Sequence, residues 1–386
     1  MIHMKDIDLE NKRVFIRLDL NVPINNKKII SSERIDRSIP TIKLALKKNA
    51  KIILASHLGR PKEGEYKKKF SLFPVFEYLK KKLPETKIIF SKNYLQGIKI
   101  KSNEIVMLEN VRFNYGETKN NINLSKKYSS LCDIFVMDAF ATAHRIESST
   151  YGICDFVKKA CIGPLLYSEI KILKSIFNKP LHPIVTIVGG AKVSTKFKLL
   201  NTLLKITDTM LVGGGIANTF ISTHYSIGKS LYEKSFQEKA KKLCETNKIV
   251  LPVDSRVGTS YSIKSKSKIK LLSNILSNEE ILDIGDKTIE HYKKIIKKAK
   301  MIIWNGPMGV FEFPNFRKGT EEIAKSIANS SSFSIAGGGD TIAVIELFNL
   351  KNKISYISTG GGSFLKFIEN KTLPILDKLK NFKITT

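Results

Sequence analysis

At 386 residues the chain is longer than one hydrophobic core usually organises, and with 42% hydrophobic and 26% charged residues each of two domains can bury a core of its own. The formal charge of +30 invites a polyanion reading, yet it is spread as lysine along the whole chain with no basic tail or arginine-rich arm, which reads as drift on solvated helix faces rather than a nucleic-acid surface. No run approaches the roughly 18 apolar residues of a membrane span, residues 1–11 lack the apolar core of a signal peptide, and the four cysteines show no C-x-x-C spacing, so a cytoplasmic protein with idle thiols is expected.

In chain order, the first half repeats one pattern four times. An apolar run ends abruptly in chemically capable residues: Val14, Phe15 and Ile16 before Arg17-Leu18-Asp19-Leu20-Asn21; residues 52–55 before Ser56-His57-Leu58-Gly59-Arg60; residues 105–108 before Glu109-Asn110-Val111-Arg112; residues 134–137 before Asp138. Segments 39–48, led by Pro40, and 73–83 carry helical spacing between them. Alternating strand and helix predicts a parallel sheet, and such sheets take ligands beyond the carboxyl ends of their strands. Only nine of the 65 basic residues are arginine, and seven of those lie within the first 145 positions. Arginine supplies a planar fork for carboxylate and phosphate that lysine lacks, so the first half is expected to be an oxyanion receptor.

Residues 165–183, helical and then broken by Pro180 and Pro183, form the natural junction. Beyond it, apolar runs lead into Gly189-Gly190-Ala191-Lys192, Gly213-Gly214-Gly215, Asn305-Gly306-Pro307, Gly337-Gly338-Gly339-Asp340 and Gly360-Gly361-Gly362. Most are followed by helical spacing, as in residues 193–204 and 341–347. Glycine at a strand-to-helix turn lets backbone approach an anion, and the amides of the next helix then face it. Five such turns on one sheet edge predict a nucleotide-sized cradle. Residues 256–270, rich in Ser and Lys, are expected to form a polar surface hairpin, and Arg13, Arg37, Arg256 and Arg317 to be surface or structural.

Single motifs are weaker. Gly213-Gly214-Gly215 lacks the third glycine of a dinucleotide fingerprint, where Asn218 stands, and Gly228-Lys229-Ser230 has Thr223 in place of the first glycine of a P-loop. Neither H-R-D nor D-F-G occurs, which argues against a protein kinase.

Taken together, the residues resemble the phosphoglycerate kinase family over essentially the whole length. The resemblance is carried, in order, by residues 17–23, 57–61, 109–113, 138–140, 143–145, 189–194 with Lys196, 304–312, 337–341 and 358–362. It implies two doubly wound α/β domains facing a cleft: an N-terminal domain, 1–168, for 3-phosphoglycerate or 1,3-bisphosphoglycerate; a hinge helix, 169–179; and a nucleotide domain, 180–370, for ATP or ADP with Mg²⁺. A tail from about 373 to 386 is implied to return to the first domain, and a monomer is implied throughout. Carried over by position, Asp19, Asn21, His57, Leu58, Gly59, Arg60, Arg112 and Arg145 would hold the phosphoglycerate, with Arg34 on the transferring phosphoryl group. Lys192 and Lys196, at i and i+4 on one helical face, would reach the nucleotide phosphates. Asp340 would hold Mg²⁺ beside Thr341 and the Gly338 and Gly339 amides, while Asn305, Glu312, Gly213 and Gly214 would complete the nucleotide site. Arg17 is expected to brace Asp19, and His144 to orient its loop. Hinge closure is implied because two domains hold two substrates.

Three places depart from the family pattern. Ala141 stands where glycine is usual, Ile146-Glu147 replaces small or histidine residues after Arg145, and Ser363-Phe364 follows the last glycine triplet, where Phe364 is expected to crowd the neighbouring glycines.

Overall fold

The computed structural model describes residues 1–26 and 28–383. The chain divides into two compact units, one of residues 1–172 together with the segment from Asn370, the other of residues 173–369. Each is built on a six-stranded, all-parallel sheet, so the class is α/β. Of the tail expected to return to the first domain, residues 384–386 lie outside the described ones.

In the first unit the strands run in the order Ile88–Ser91, Ile105–Leu108, Lys51–Ala55, Arg13–Arg17, Ile134–Met137, Lys159–Ile162. The two central strands are buried at every position but their first, as expected when helices cover both faces of a parallel sheet. Register decides which loops emerge together. Arg17 pairs with Ala55 on one side and Met137 on the other, so residues 18–21, 56–60 and 138 leave the sheet at one edge. The helix Glu33–Lys47 starts six residues before the segment that helical spacing suggests, with Pro40 inside it rather than at its start. Proline is favoured in a first helical turn, which is why the pattern misleads; here Pro40 is exposed, where water can replace the bond its nitrogen cannot donate. The earlier start places Arg34 in the first turn. From Asn370, the helix Pro374–Leu379 buries Ile375, Leu376 and Leu379 in this unit, and Lys378 pairs with Asp155.

The second unit orders its strands Ile249–Val250, Thr209–Val212, Ile184–Val188, Met301–Asn305, Phe333–Ala336, Tyr356–Ile357. Val188 pairs with both Val212 and Asn305, and Trp304 with Ala336, so the glycine turns after these strands share an edge. Helices Val193–Leu204, Gly214–Ile221, Gly339–Leu347 and Gly361–Asn370 begin within a few residues of four of those turns. A smaller antiparallel sheet joins Lys268–Leu271, Asp254–Gly258 and Glu280–Ile284. It corrects the surface-hairpin expectation. The hairpin exists, but its first strand is buried throughout, and Arg256 donates to the Ile284 carbonyl and pairs with Asp286.

All four cysteines are free, and burial pushes the Cys132 and Cys154 thiols up to about 12, so they remain protonated and inert. Ala141 lies in a short 3-10 turn, Phe140–Thr142, and is not among the residues with positive φ, so nothing there requires glycine. Phe364 is wholly buried, and a Cβ on Gly337 would lie 2.5 Å from its ring.

Candidate active site

Five of the early arginines converge at the carboxyl edge of the first sheet. Arg17, the last residue of its strand, is fully buried; its Nε donates to Ser149 Oγ at 2.9 Å and its NH1 to the Leu18 carbonyl at 2.6 Å. Ser149 Oγ in turn donates to Glu117 at 2.6 Å, a carboxyl that burial pushes up to about 7. Arg17 therefore braces the floor through Ser149, not through Asp19 as expected. Asp19 pairs instead with Arg34 at 3.0 Å, and the same Arg34 nitrogen donates to the Asn21 carbonyl at 3.0 Å. The Asn21 side chain accepts from the Gly59 amide at 2.8 Å, tying the loops after two adjacent strands together.

His57 is buried, and its Nδ1 has no hydrogen-bond partner. Burial first, then the charges of Arg17, Arg112, Arg145 and Arg34, hold its imidazole well below the usual range, so it is neutral at pH 7. Leu58 is buried and offers its carbonyl to Asn110 at 2.7 Å. Arg112 donates through NH1 to the Gly59 carbonyl at 2.7 Å and through NH2 to Glu147 at 2.9 Å; Arg145 NH1 lies 3.6 Å from the same Glu147 oxygen. An open cavity of about 400 Å³ is lined by Arg60, Pro61, Arg112, Thr118, His144 and Arg145. Three guanidinium groups around one cavity offer planar donors suited in chemistry to an anion.

The second unit builds its cavity, about 460 Å³, from glycine turns on the sheet edge together with apolar and charged side chains. Gly190, Ala191, Gly214 and Gly215 line one side; Leu231, Tyr261, Leu282 and Phe311 supply apolar surface; Asp340 and Glu312 stand among the lining residues. Close approach dictates the glycines: a Cβ on Gly189 would sit 1.7 Å from the Pro307 carbonyl oxygen, and Gly338 holds φ at +107° as the N-cap of the Gly339–Leu347 helix. Gly339 and Asp340 begin that helix, so its unpaired amides face the same edge. Thr341 Oγ1 accepts from the Gly306 amide at 2.8 Å and donates to the Gly337 carbonyl at 3.0 Å, locking two turns together. Asn305 donates to the Gly337 carbonyl at 2.6 Å and leaves Oδ1 buried without a partner.

Lys196 folds back to donate to the Gly189 carbonyl at 2.6 Å and the Asn305 carbonyl at 3.2 Å. Burial pulls its ammonium down to about 8, opposed by Asp340. Lys192 corrects the expected i, i+4 face. It is the extended N-cap before Val193 and is exposed, so it lies outside the helix that carries Lys196. Gly213 lies behind the cavity lining, against Met308, while Gly214 lines it.

Sequence reasoning missed Lys229, Tyr261, Glu280 and Phe311, which line this cavity. Lys229 belongs to the Gly-Lys-Ser triplet set aside as an incomplete P-loop, and Tyr261 to the supposed surface hairpin. In the first unit it missed the bracing by Ser149 and Glu117, which carry no motif signal; Glu147 shows only as an odd residue after Arg145.

An arginine receptor on one parallel-sheet unit and a glycine cradle with helix amides on another define a two-domain phosphotransferase that works on phosphorylated small molecules. The family model described as phosphoglycerate kinase matches residues 4–371. Proteins called phosphoglycerate kinase from Buchnera aphidicola of Schizaphis graminum and of Acyrthosiphon pisum (strain Tuc7) are 63% and 61% identical, over 98% of this chain and 97% and 98% of theirs. The solved phosphoglycerate kinase of Coxiella burnetii matches with a TM-score of 0.91 at 47% identity, and that of Pyrococcus horikoshii with 0.79 at 33%; each alignment covers 98% of both chains. The chain belongs to the phosphoglycerate kinase family. Its substrates in that family include ATP and ADP, and among the described residues no helix is long and apolar enough to cross a membrane.

Proposed function

We propose that this chain transfers the acyl phosphate of 1,3-bisphosphoglycerate to ADP, reversibly, giving 3-phosphoglycerate and ATP, as a monomer in the cytoplasm. The observation that carries the substrate assignment is the arginine-lined cavity at Arg60, Arg112 and Arg145 on the edge where Asp19, Asn21 and His57 also emerge. Three arginines suit a ligand with a phosphate and a carboxylate. Neutral His57 and the Asp19 and Asn21 side chains suit its hydroxyl, and Leu58 and Gly59 shape the wall through their backbone.

The chemistry asks little of the protein beyond placement. A β-phosphate oxygen of ADP attacks the phosphoryl phosphorus, the bond from phosphorus to the carboxyl oxygen breaks, and its electron pair leaves with the carboxylate. The attacking phosphate oxygen is already ionised at neutral pH, and the carboxylate leaves as a stable anion and is equally ready to attack in reverse, so neither a general base nor a general acid is needed; the charge of the phosphoryl group in flight must be met instead. Arg34 meets it from the first unit and Lys196 from the second, with Lys192 assigned a supporting charge from the exposed N-cap of the Val193–Leu204 helix. Action on one group from two units calls for hinge closure, and residues 169–179 are the hinge this reading assigns between 1–168 and 180–370.

In the cradle, the Gly338 and Gly339 amides and the first turn around Thr341 hold phosphate oxygens, Glu312 accepts from the ribose, Gly214 borders the base with Gly213 behind it, and Asn305 orders the turn. Among the described residues no cluster of three His, Cys, Asp or Glu side chains is spaced for a metal, which suits Mg²⁺ arriving on the nucleotide with Asp340 as its protein carboxylate. When bound, the ion neutralises charge shared between neighbouring phosphates. A coupled assay should show ATP consumption that depends on 3-phosphoglycerate; none in the folded protein with Mg²⁺ present would overturn the reading.

A further inference from the structure

One buried ionisable group near the first-unit cavity has no part in this scheme. Glu147 is 7% exposed in its side chain, and one of its oxygens is shared by Arg112 at 2.9 Å and Arg145 at 3.6 Å. Its other oxygen, Oε2, is buried without a hydrogen-bond partner. Arg112 is thus clamped at both ends, to Glu147 on one side and the Gly59 carbonyl on the other. The cavity is lined by both arginines and not by Glu147, so this carboxylate stands behind the receptor. A negative charge so placed fixes the Arg112 plane by a hydrogen bond, draws Arg145, whose NH1 makes no hydrogen bond, by charge alone, and offsets part of the charge the two present.

We propose that Glu147 is a positioning residue that aims Arg112 and Arg145 and discounts their charge, so that the receptor favours an extended phosphoglycerate over a compact anion. The inference rests on the substrate assignment above. A compact anion such as inorganic phosphate gains mainly from local charge density at these two arginines. A phosphoglycerate distributes its contacts over Asp19, Asn21, His57 and Arg60 as well, and depends less on that density.

The test uses the full chain and two variants, with inorganic phosphate and 3-phosphoglycerate as probes. Glu147→Gln keeps shape and one acceptor oxygen but removes the charge. Calorimetry should show phosphate binding tightened about tenfold and 3-phosphoglycerate less than about threefold, so discrimination falls. Equal changes for the two anions, or none for either, would overturn the proposal, since a merely structural role shifts thermal stability without altering their ratio. Glu147→Asp keeps the charge and shortens the reach by one methylene. It should leave phosphate affinity within about twofold of the parent while the KM for 3-phosphoglycerate rises about threefold or more; an unchanged KM would overturn the proposal even if the Gln variant fails to fold. Phosphate that fails to compete with 3-phosphoglycerate in the parent protein would instead remove the receptor assignment, and with it this one. Competition in the parent with a flat response in both variants removes only Glu147.

Discussion

The two units shape the carboxyl edges of their parallel sheets with opposite materials. In the first, side chains do it: Arg34, Arg112 and Arg145 each sit against a carboxylate, and the charges are mutually braced before any ligand arrives. In the second, backbone does it: glycine turns bring amides and carbonyls within contact of one another, and the long side chain of Lys196 lies across two of those carbonyls. A side-chain receptor can be tuned by charge at single positions. A turn such as that at Gly189 tolerates almost no added atom, while Tyr261 and Glu312 line the cavity beside the glycines with side chains that can vary.

The comparison can be broken in descending order of effect. Arg34→Lys should lower kcat by about 10²- to 10³-fold with a smaller change in KM, because an ammonium cannot keep Asp19 and the Asn21 carbonyl while also meeting the phosphoryl group. Steady-state kinetics near the parent value would strip Arg34 of that role. Gly189→Ala should cost the second unit about 3 kcal/mol, since the new methyl collides with backbone rather than a movable side chain. Calorimetric melting should show that unit unfolding earlier while the first keeps its transition; a loss under about 0.5 kcal/mol would mean the turn relaxes freely.

Asp340→Ala should weaken Mg-nucleotide binding about tenfold or more and leave 3-phosphoglycerate binding as it was. Titrations in which both ligands weaken alike would contradict the division of labour between the units. The smallest effect is protonic. With Lys196 pulled down to about 8 from 10.5, the folded chain binds fewer protons than the unfolded chain between those values, so this group's penalty on stability is full below pH 8 and relieved as pH rises towards 10.5. Nucleotide phosphates beside Lys196 should push its pKa back up, so binding near pH 9 takes up about one proton per site. Titration in buffers of different ionisation enthalpy measures this, and no uptake would place Lys196 away from the phosphates.

Legibility in the sequence followed the same division. The strands at 13–17, 51–55, 105–108 and 134–137 read clearly because burial on both faces demands unbroken apolar runs. Ile88–Ser91 and Lys159–Ile162 sit at the sheet edges, with Lys159 exposed and Ile89, Phe90 and Ser91 not fully buried, and they escape notice. Glycine turns announce themselves because no other residue fits. Bracing partners do not: Ser149 and Glu117 meet Arg17 and each other only through folding, from more than 30 positions away in each case. Pro40 and the hairpin from Arg256 mislead for one reason, since a residue that usually marks a boundary and a segment whose composition suggests a surface are accommodated by their neighbours, while Arg256 itself is structural, one of the two roles expected of it.

The chain path also bears on how the protein is made. The second unit is a single stretch, complete once Glu369 has been synthesised, whereas the first needs the helix Pro374–Leu379, whose Ile375, Leu376 and Leu379 fill its core. The half begun first at the ribosome is therefore finished last. A chain truncated before Leu373 would carry a whole second unit tethered to a first unit whose core lacks Ile375, Leu376 and Leu379.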